Sequence, residues 1–335
     1  MKKFLIFFLL YSFNLHSFND QLNEKQNQNS INLGVDSLNS ISTINFEYNS
    51  FVKLYIDAYL IKDKKLISKM LARSKHYFPI FEQKLDKYNL PLELKYLSVV
   101  ESSLNTRAKS PSGALGLWQF MYPTAKEYGL RVTSYIDERL DPFKSTEAAC
   151  KYFIKLYDLF GDWNLVLAAY NGGPGYIQRK MIATGHDNYW DLRPHLRTET
   201  RNYVPKFIAI TYLMEFHTNY KFPIDTLDII LLNSDTIQID HQTNYKTLSK
   251  LTCLSEDDIS YYNPSFKNNI IPKGSTIVLP KSNIDDYYLN YQEYKVFTQA
   301  VDDKEILLDE TLINYSVVSG DYLGKIAVKY NLKIY

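Results

Sequence analysis

One glutamate, Glu101, stands near the end of a predicted helix, at a position where its carboxyl group can be buried. Leu94, Leu97 and Glu101 are spaced i, i+3 and i+7, so the three side chains share one helical face. Burial raises the pKa of a carboxyl group because the charged form loses hydration, and a glutamate kept neutral can act as a general acid. A glutamate that bends into solvent at the helix end fits the same spacing.

The segment 110–121 follows soon after and combines small, aromatic and polar residues. It contains two glycines and a proline, which allow the backbone to approach a ligand closely. The alternation of Trp118, Gln119 and Phe120 turns the polar side chain away from the two aromatic ones. We therefore expect Gln119 to face a ligand while its neighbours pack inside.

Two later segments carry further polar groups. Tyr170 and Asn171 end an apolar helix before a Gly-Gly pair, where they can present a hydroxyl and an amide to a sugar. A purely structural interpretation fits the same pattern, in which the glycines end the helix and the Asn side chain caps it. Glu199 opens a helix, a position that the helix dipole favours for a carboxylate, so a purely structural role fits it equally well.

These residues lie in a region, 77–217, in which helical stretches alternate with Gly, Pro and Asn. The pattern predicts an all-α domain. Its candidate helices are 79–87, 91–103, 123–129, 144–159, 163–170, 173–183 and 199–217. We expect a helical lead-in at 46–76, in which Phe51, Leu54, Tyr55 and Ala58 recur at helical spacing, and a polar linker at 18–45.

The pattern of the sequence changes from helical to partly strand-like after Tyr220. A β-α-α-β unit is predicted within 218–285, with strands at 228–239 and 275–279 and helices at 246–251 and 256–262. A spacer, 286–314, separates it from a second unit at 315–335. That unit has a strand at 315–318 and a helix at 322–330, and runs for about half the length of the first.

Composition excludes several classes of protein. The chain has 335 residues, 45% hydrophobic and 22% charged, which excludes disordered and multi-spanning membrane proteins. A net charge of +1 provides no basic surface for nucleic acid. Cys150 and Cys253 are too few for a disulfide scaffold or a cysteine-based zinc cluster, and we expect both to be free.

Residues 1–17 are typical of a secretory signal peptide. Lys2 and Lys3 precede an apolar stretch, 4–11, that is too short to span a bilayer. No cysteine lies near a cut after Ser17, so we exclude a lipoprotein anchor. An uncleaved membrane anchor is the alternative, which leaves association with the membrane surface open. Both interpretations place the remaining chain in the periplasm or cell envelope.

Four motifs, in this order, resemble the soluble-lytic-transglycosylase family, glycoside hydrolase family twenty-three. They are Glu-Ser-Ser-Leu-Asn at 101–105, Ser-x-x-Gly-Ala-x-Gly-Leu-Trp-Gln-Phe-Met at 110–121, Ala-Tyr-Asn-Gly-Gly at 169–173 and Glu-Thr-Arg-Asn-Tyr-Val at 199–204. The C-terminal units resemble LysM peptidoglycan-binding modules. The second has their Ser-Gly-Asp turn, whereas the first has a degenerate opening.

The resemblance implies an α+β multidomain chain, in which an all-α lysozyme-like catalytic domain is followed by small βααβ LysM-like modules. It implies cleavage of peptidoglycan glycan strands between N-acetylmuramic acid and N-acetylglucosamine without water, with Glu101 as both acid and base. By motif match, the substrate-binding residues are Ser110, Gln119, Met121, Tyr170, Asn171, Glu199 and Tyr203. No cofactor or metal is expected, and His186 and His195 are interpreted as isolated surface or packing residues.

Two alternatives stay open at this level. A lysozyme-like hydrolase on the same fold needs a second carboxylate, for which Asp137, Asp141 and Asp162 are candidates. A non-catalytic protein that binds the cell wall needs neither carboxylate. We also expect residues 221–335 to be separable, so that their removal weakens retention on the wall and spares the chemistry.

Overall fold

The computed structural model describes residues 28–223, 233–290, 315–318 and 321–330. These residues form a large helical region and a small mixed one, each with its own hydrophobic core, in agreement with the predicted α+β class. The predicted signal peptide, 1–17, lies outside the described residues. Among the residues that are described, no helix combines the length and apolar character needed to cross a bilayer.

The helical region has one continuous core that extends from Ile31 to Met214. Its α-helices are α1 (28–41), α2 (Ser50–Ile61), α3 (Lys64–Lys87), α4 (Lys95–Ser102), α5 (Tyr122–Glu127), α6 (Pro142–Phe160), α7 (Trp163–Gly172), α8 (Pro174–Thr184), α9 (Tyr189–Leu192) and α10 (Thr198–Glu215). The five helices predicted between residues 123 and 217 agree with α5, α6, α7, α8 and α10 to within two residues at each end.

The helix that carries Glu101 begins later than predicted. Residues Leu92–Leu94 form a 3-10 turn, and α4 starts at Lys95. The helix ends because Ser103 and Leu104 have φ angles of 53° and 58°, in the left-handed region. Glu101 therefore lies in the last turn of α4, next to a sharp change in chain direction.

Two predictions about the first part of the chain were wrong in detail. The polar composition of 18–45 suggested a linker, but 28–41 is helical, because Ile31, Val35 and Leu38 form a narrow stripe that is buried in the core. In α2, the predicted stripe is on the wrong face. Phe51 and Leu54 are exposed, and the buried residues are instead Val52, Ile56 and Tyr59.

The third helix is also longer than predicted. The candidate helix was 79–87, yet Pro79 lies inside α3, which spans Lys64–Lys87. Proline in a helix interior costs a backbone hydrogen bond and about 3 kcal/mol. Here that cost is offset by the burial of a stripe on both sides of the proline, which includes Met70, Tyr77 and Phe81.

Trp118 lies at the centre of the helical region and is fully buried. Its indole nitrogen donates a hydrogen bond to Thr146 Oγ1 at 2.9 Å. Its ring packs against Phe81 and Phe153, with ring centroids 5.0 Å and 5.8 Å away. The segment that carries Gln119 is thereby anchored between α3 and α6.

The smaller region has the predicted β-α-α-β order. It contains β1 (Ser234–Gln238), α11 (Tyr245–Thr252), α12 (Glu256–Tyr262), β2 (Thr276–Pro280) and α13 (Lys281–Leu289). The two strands pair antiparallel, with Ser234 opposite Pro280 and Gln238 opposite Thr276. Asn263 ties the second helix to the sheet, because its side chain accepts from the amide of Val278 and donates to the carbonyl of the same residue, at 2.8 Å in both cases.

One boundary and one strand in this half of the chain differ from prediction. The spacer expected at 286–314 begins later, since α13 continues to Leu289 and Tyr287 is buried in the second core. In the second unit, α14 (Leu323–Lys329) agrees with the predicted helix. Residues 315–318 do not form the predicted strand within the described residues, and 319–320 and 331–335 lie outside them.

The cysteine prediction is confirmed. Cys150 is buried and Cys253 is exposed, and neither forms a disulfide. Burial raises the pKa of the Cys150 thiol to about 12.

Candidate active site

The last turn of α4 is fixed to the glycine-containing segment 110–121. The hydroxyl groups of Ser98 and Ser102 both donate to the carbonyl oxygen of Leu117, each at 3.0 Å. Both serines are buried, so these hydrogen bonds are shielded from water. They hold Glu101 at a set position relative to Gln119, which lies two residues after Leu117.

Glu101 is partly buried and lies against α10. The hydroxyl group of Tyr203 donates a short hydrogen bond to Glu101 Oε1. Burial raises the pKa of Glu101 from 4.5 to about 7, against the opposing effects of the Tyr203 hydrogen bond and the positive charge of Lys206; the charge of Glu199 raises it further. At neutral pH this carboxyl group therefore exists in both the protonated and ionised forms, as a proton-transfer group requires.

The sequence interpretation missed Lys206. Its ammonium group is close enough to Glu101 to lower the carboxyl pKa, and burial lowers the pKa of Lys206 itself. Glu199, Tyr203 and Lys206 are spaced i, i+4 and i+7 along α10, and so lie on the helical face turned toward Glu101. That spacing is readable in the sequence and was the signal that could have identified the lysine.

The segment that bears Gln119 is held by a close backbone approach at Gly116. A Cβ atom at this position would lie 2.0 Å from the carbonyl oxygen of Arg139, and the φ angle is 84°, so only glycine fits. The side-chain amide of Gln119 donates to the carbonyl oxygens of Ala108 and Gly116, at 3.0 Å and 2.8 Å. Trp118 and Phe120 are buried and Gln119 is not, as the alternation predicted.

Arg139 supports the same segment from the other side. Its guanidinium group donates to the carbonyl oxygens of Gly113 and Phe120, at 3.1 Å and 3.3 Å. Asp137 holds that group in a two-point ion pair, with distances of 2.9 Å and 2.8 Å. Because both side chains are largely buried, the pair fixes the segment on either side of Gln119.

The remaining predicted residues differ in how close they lie to Glu101. The Tyr170 hydroxyl donates to the carbonyl oxygen of Trp118 at 2.7 Å, and the charge of Glu101 contributes to its raised pKa. Asn171 accepts from Thr200 at 2.9 Å and donates to Glu199 at 3.5 Å. This contact joins two of the four motifs.

Ser110 and Met121 lie at the two ends of the glycine-containing segment. The Ser110 hydroxyl accepts from the amide of Ala114 and shares a hydrogen bond with Ser112, both at 2.9 Å. Met121 is exposed, with 41% of its surface accessible. Neither residue has a described contact with Glu101.

The three aspartates considered for a hydrolase already have structural partners. Asp137 is paired with Arg139, as described above. Asp141 caps α6 by accepting from the amides of Phe143 and Lys144. Asp162 caps α7 by accepting from the amide of Leu165.

His186 and His195 are not isolated in space, contrary to the sequence interpretation. Their rings lie 5.5 Å apart, because the loop after α8 approaches the turn before α10. In the part of the chain that the structure describes, no three His, Cys, Asp or Glu side chains are grouped in a way that could hold a metal ion.

Two family models match the chain. Residues 78–192 match the transglycosylase SLT domain, and residues 233–296 match the LysM-like domain of lytic transglycosylase MltD. The chain therefore contains an SLT transglycosylase domain. It is followed by a LysM-like domain of the MltD type.

Similar proteins agree with this assignment. The chain is 28% identical to membrane-bound lytic murein transglycosylase D of Escherichia coli K12 over 281 residues, which cover 80% of this chain and 60% of that protein. It is 36% identical to membrane-bound lytic murein transglycosylase F of Pseudoalteromonas translucida over 116 residues, 32% of this chain and 23% of that one. The chain thus spans less than two thirds of the length of these two relatives.

A solved structure that resembles part of the chain is the soluble lytic transglycosylase Slt70 of Escherichia coli. The two are 24% identical, with a TM-score of 0.37, over 45% of this chain and 26% of that one.

Proposed function

We propose that this protein is a lytic transglycosylase that cleaves the β-1,4 bond between N-acetylmuramic acid and N-acetylglucosamine in peptidoglycan. The observation that carries the proposal is Glu101, a partly buried carboxyl group with a pKa of about 7, held by Tyr203 beside the segment that bears Gln119. The matches to the SLT domain and to lytic murein transglycosylases support peptidoglycan as the substrate class.

In the first step, neutral Glu101 gives its proton to the oxygen of the glycosidic bond. The bond between that oxygen and C1 of the muramic acid residue breaks, and positive charge develops on the ring. The N-acetyl group of the substrate stabilises this centre, as in other substrate-assisted glycosidases. Glu101 is left as a carboxylate, which the Tyr203 hydrogen bond and the charge of Lys206 stabilise.

In the second step, Glu101 takes the proton from the 6-hydroxyl group of the same sugar, and that oxygen forms a bond with C1. The product has a 1,6-anhydro end, no water is consumed, and Glu101 is protonated again. One carboxyl group is enough because the attacking hydroxyl belongs to the substrate and is already in position.

The residues around Glu101 bind the sugars on either side of the cleaved bond. We assign contacts with N-acetyl and hydroxyl groups to Ser110, Gln119, Tyr170 and Asn171, and an apolar groove contact to exposed Met121. Tyr203 orients Glu101, and Glu199 keeps its pKa high. The LysM-like modules bind the wall, and we place the protein in the periplasm or cell envelope.

The hydrolase alternative is less well supported, since Asp137, Asp141 and Asp162 are engaged in an ion pair and two helix caps. The non-catalytic alternative leaves the raised pKa of Glu101 without a role.

One experiment separates all three functions. Purified peptidoglycan is digested in water enriched in heavy oxygen, and the released fragments are weighed. A lytic transglycosylase releases anhydro fragments with no heavy oxygen. Reducing ends that carry heavy oxygen would indicate a hydrolase, and no released fragments would indicate a binding protein.

A further inference from the structure

The LysM-like domain makes specific polar contacts with the SLT domain. A strand-like pairing joins segment 133–137 to segment 265–268. In it, the amide of Asp137 donates to the carbonyl oxygen of Ser265, and the amide of Lys267 donates to that of Tyr135, both at 2.8 Å. Ile136 and Phe266 lie opposite each other between these hydrogen bonds.

Side chains strengthen this contact. The Lys267 ammonium group donates to the carbonyl oxygen of Thr133 at 2.8 Å, and the Asn268 amide donates to that of Ser134 at 3.1 Å. A second contact lies nearby, where Arg107 donates to the carbonyl and hydroxyl oxygens of Ser260 at 2.6 Å and 2.9 Å.

Both contacts are made at segments that support Gln119. Segment 133–137 ends at Asp137, which holds Arg139, and Arg139 in turn binds the backbone at Gly113 and Phe120. Arg107 immediately precedes Ala108, whose carbonyl oxygen accepts from the Gln119 side chain and from the amide of Gly116 at 2.9 Å. The LysM-like domain thus contacts the two backbone segments that support segment 110–121, the Gln119 loop.

We propose that the LysM-like domain is a fixed part of the catalytic unit, in which Ser260 and segment 265–268 position the Gln119 loop for substrate binding. This inference rests on the proposed function for its substrate. It also replaces the expectation from sequence that residues 221–335 are separable, since removing them would remove both contacts that the LysM-like domain makes with the segments supporting the loop.

The test uses the full chain and a soluble glycan oligomer of alternating N-acetylglucosamine and N-acetylmuramic acid. On a soluble substrate, retention on the insoluble wall does not contribute to the kinetics, and the control variant described below accounts for general changes in the LysM-like domain. The double variant Lys267→Ala/Asn268→Ala and the single variant Arg107→Ala each remove side-chain contacts between the domains. The matched control, Lys250→Ala/Lys273→Ala, changes two exposed lysines of the same domain that take no part in these contacts.

We expect KM to rise about threefold to tenfold in both contact variants, because the loop loses hydrogen bonds that hold it. The control keeps the wild-type KM. Lys267→Arg, which keeps a donor, retains most of the affinity. The alkaline pH at which kcat falls is expected to be the same in every variant, because the neighbours of Glu101 are unchanged. These are Tyr203, Lys206 and Glu199.

Contact variants with the wild-type KM would overturn the inference, as would an equal rise of KM in the control. Thermal unfolding of each variant is followed in parallel, and a lowered unfolding temperature with unchanged KM also overturns it. Failure of the proposed function has a different signature, namely a wild-type protein that cleaves neither the soluble oligomer nor intact peptidoglycan.

Discussion

Two glutamates of the helical region, Glu101 and Glu138, have opposite electrostatic behaviour. Burial acts to raise the pKa of both carboxyl groups. For Glu138 this effect is outweighed by hydrogen bonds from Lys144 and from the side chain and amide of Arg131, at 2.6 to 2.7 Å, so its pKa is lowered. Glu101 accepts a hydrogen bond from the neutral hydroxyl group of Tyr203, and its pKa is raised to about 7.

The comparison teaches that burial alone does not produce a proton-transfer group. Glu138 is itself buried, yet it is an ionised side chain whose ion pairs connect Arg131 to Lys144 at the start of α6. Within the described part of the chain, Glu101 accepts a hydrogen bond from Tyr203 and none from a cation, and the nearby Lys206 is itself made less basic by burial. Burial raises the pKa of Glu101, and the hydrogen-bonded cations beside Glu138 lower the pKa there, so only Glu101 can change its protonation state near neutral pH.

The largest effect is expected for Glu101→Gln, which removes the group that we propose as both acid and base. Turnover of purified peptidoglycan should fall about 100- to 10,000-fold, measured as release of soluble fragments. Binding to the wall should persist, because the other proposed substrate-binding residues and the LysM-like domain are unchanged. Retained turnover would show that the proton comes from another group.

The stability of the same variant serves as the control for folding. The folded-state pKa of about 7 lies above the ordinary value of 4.5, so the folded chain binds the Glu101 proton more tightly than the unfolded chain does. Ionisation of Glu101 therefore costs stability as the pH rises through this interval. Glu101→Gln lacks this cost, and we expect it to unfold at the same or a higher temperature than the wild type at pH values above 7.

The next largest effect is expected for Tyr203→Phe. The hydroxyl favours the ionised form of Glu101, so its loss raises the pKa of that carboxyl group further. Turnover should fall about 10- to 100-fold, as expected for loss of a hydrogen bond to a charged group, and its alkaline limit should move to higher pH. Tyr212→Phe, on the same helix, is the matched control and should leave the pH profile unchanged.

A third variant, Glu138→Gln, tests the other side of the comparison. It should lower the free energy of unfolding by about 1–3 kcal/mol, because it removes charge-assisted hydrogen bonds at a buried site. Since the pKa of Glu138 is lowered, this stabilisation is present at neutral pH and is lost as the pH falls through the acid range. Urea unfolding at neutral and acid pH measures it. If Glu138→Gln also moved the alkaline pH limit of turnover, this would contradict the assignment of a structural role to Glu138 and of proton transfer to Glu101.

The smallest effects are expected for two substitutions of opposite sign on α10. Glu199→Gln removes a charge that raises the pKa of Glu101, so the alkaline limit of turnover should move to lower pH. Lys206→Met removes a charge that lowers it, so the limit should move to higher pH. At fixed pH the rates should change less than about threefold, since burial, and not either of these two charges, is the largest cause of the raised pKa of Glu101. Shifts in the same direction would contradict the electrostatic assignment.

The sequence predicted much of this arrangement. Helical periodicity located α5 to α8 and α10, and the spacing of Leu94, Leu97 and Glu101 placed the carboxyl group on a buried face. The β-α-α-β order of the second region was also readable, because strand alternation and helix caps are local signals. The roles of the other predicted site residues remain predictions.

What the sequence did not predict depends on contacts between distant segments. The burial of α1 arises from three apolar residues in a polar stretch, which join a core that extends as far along the chain as Met214. The same is true of Arg139, whose hydrogen bonds reach back to Gly113, and of Lys267, whose ammonium group reaches Thr133. Such contacts have no periodic signature in the sequence.

The most direct test of the central claim is a titration of the Glu101 carboxyl group itself. Infrared difference spectra between the wild type and Glu101→Gln, recorded as a function of pH, isolate the signal of this one group. We predict a midpoint at a pH of about 7. A midpoint at the ordinary glutamate value of 4.5 would show that Glu101 is a simple ionised carboxylate at neutral pH, and would contradict its role as the proton donor.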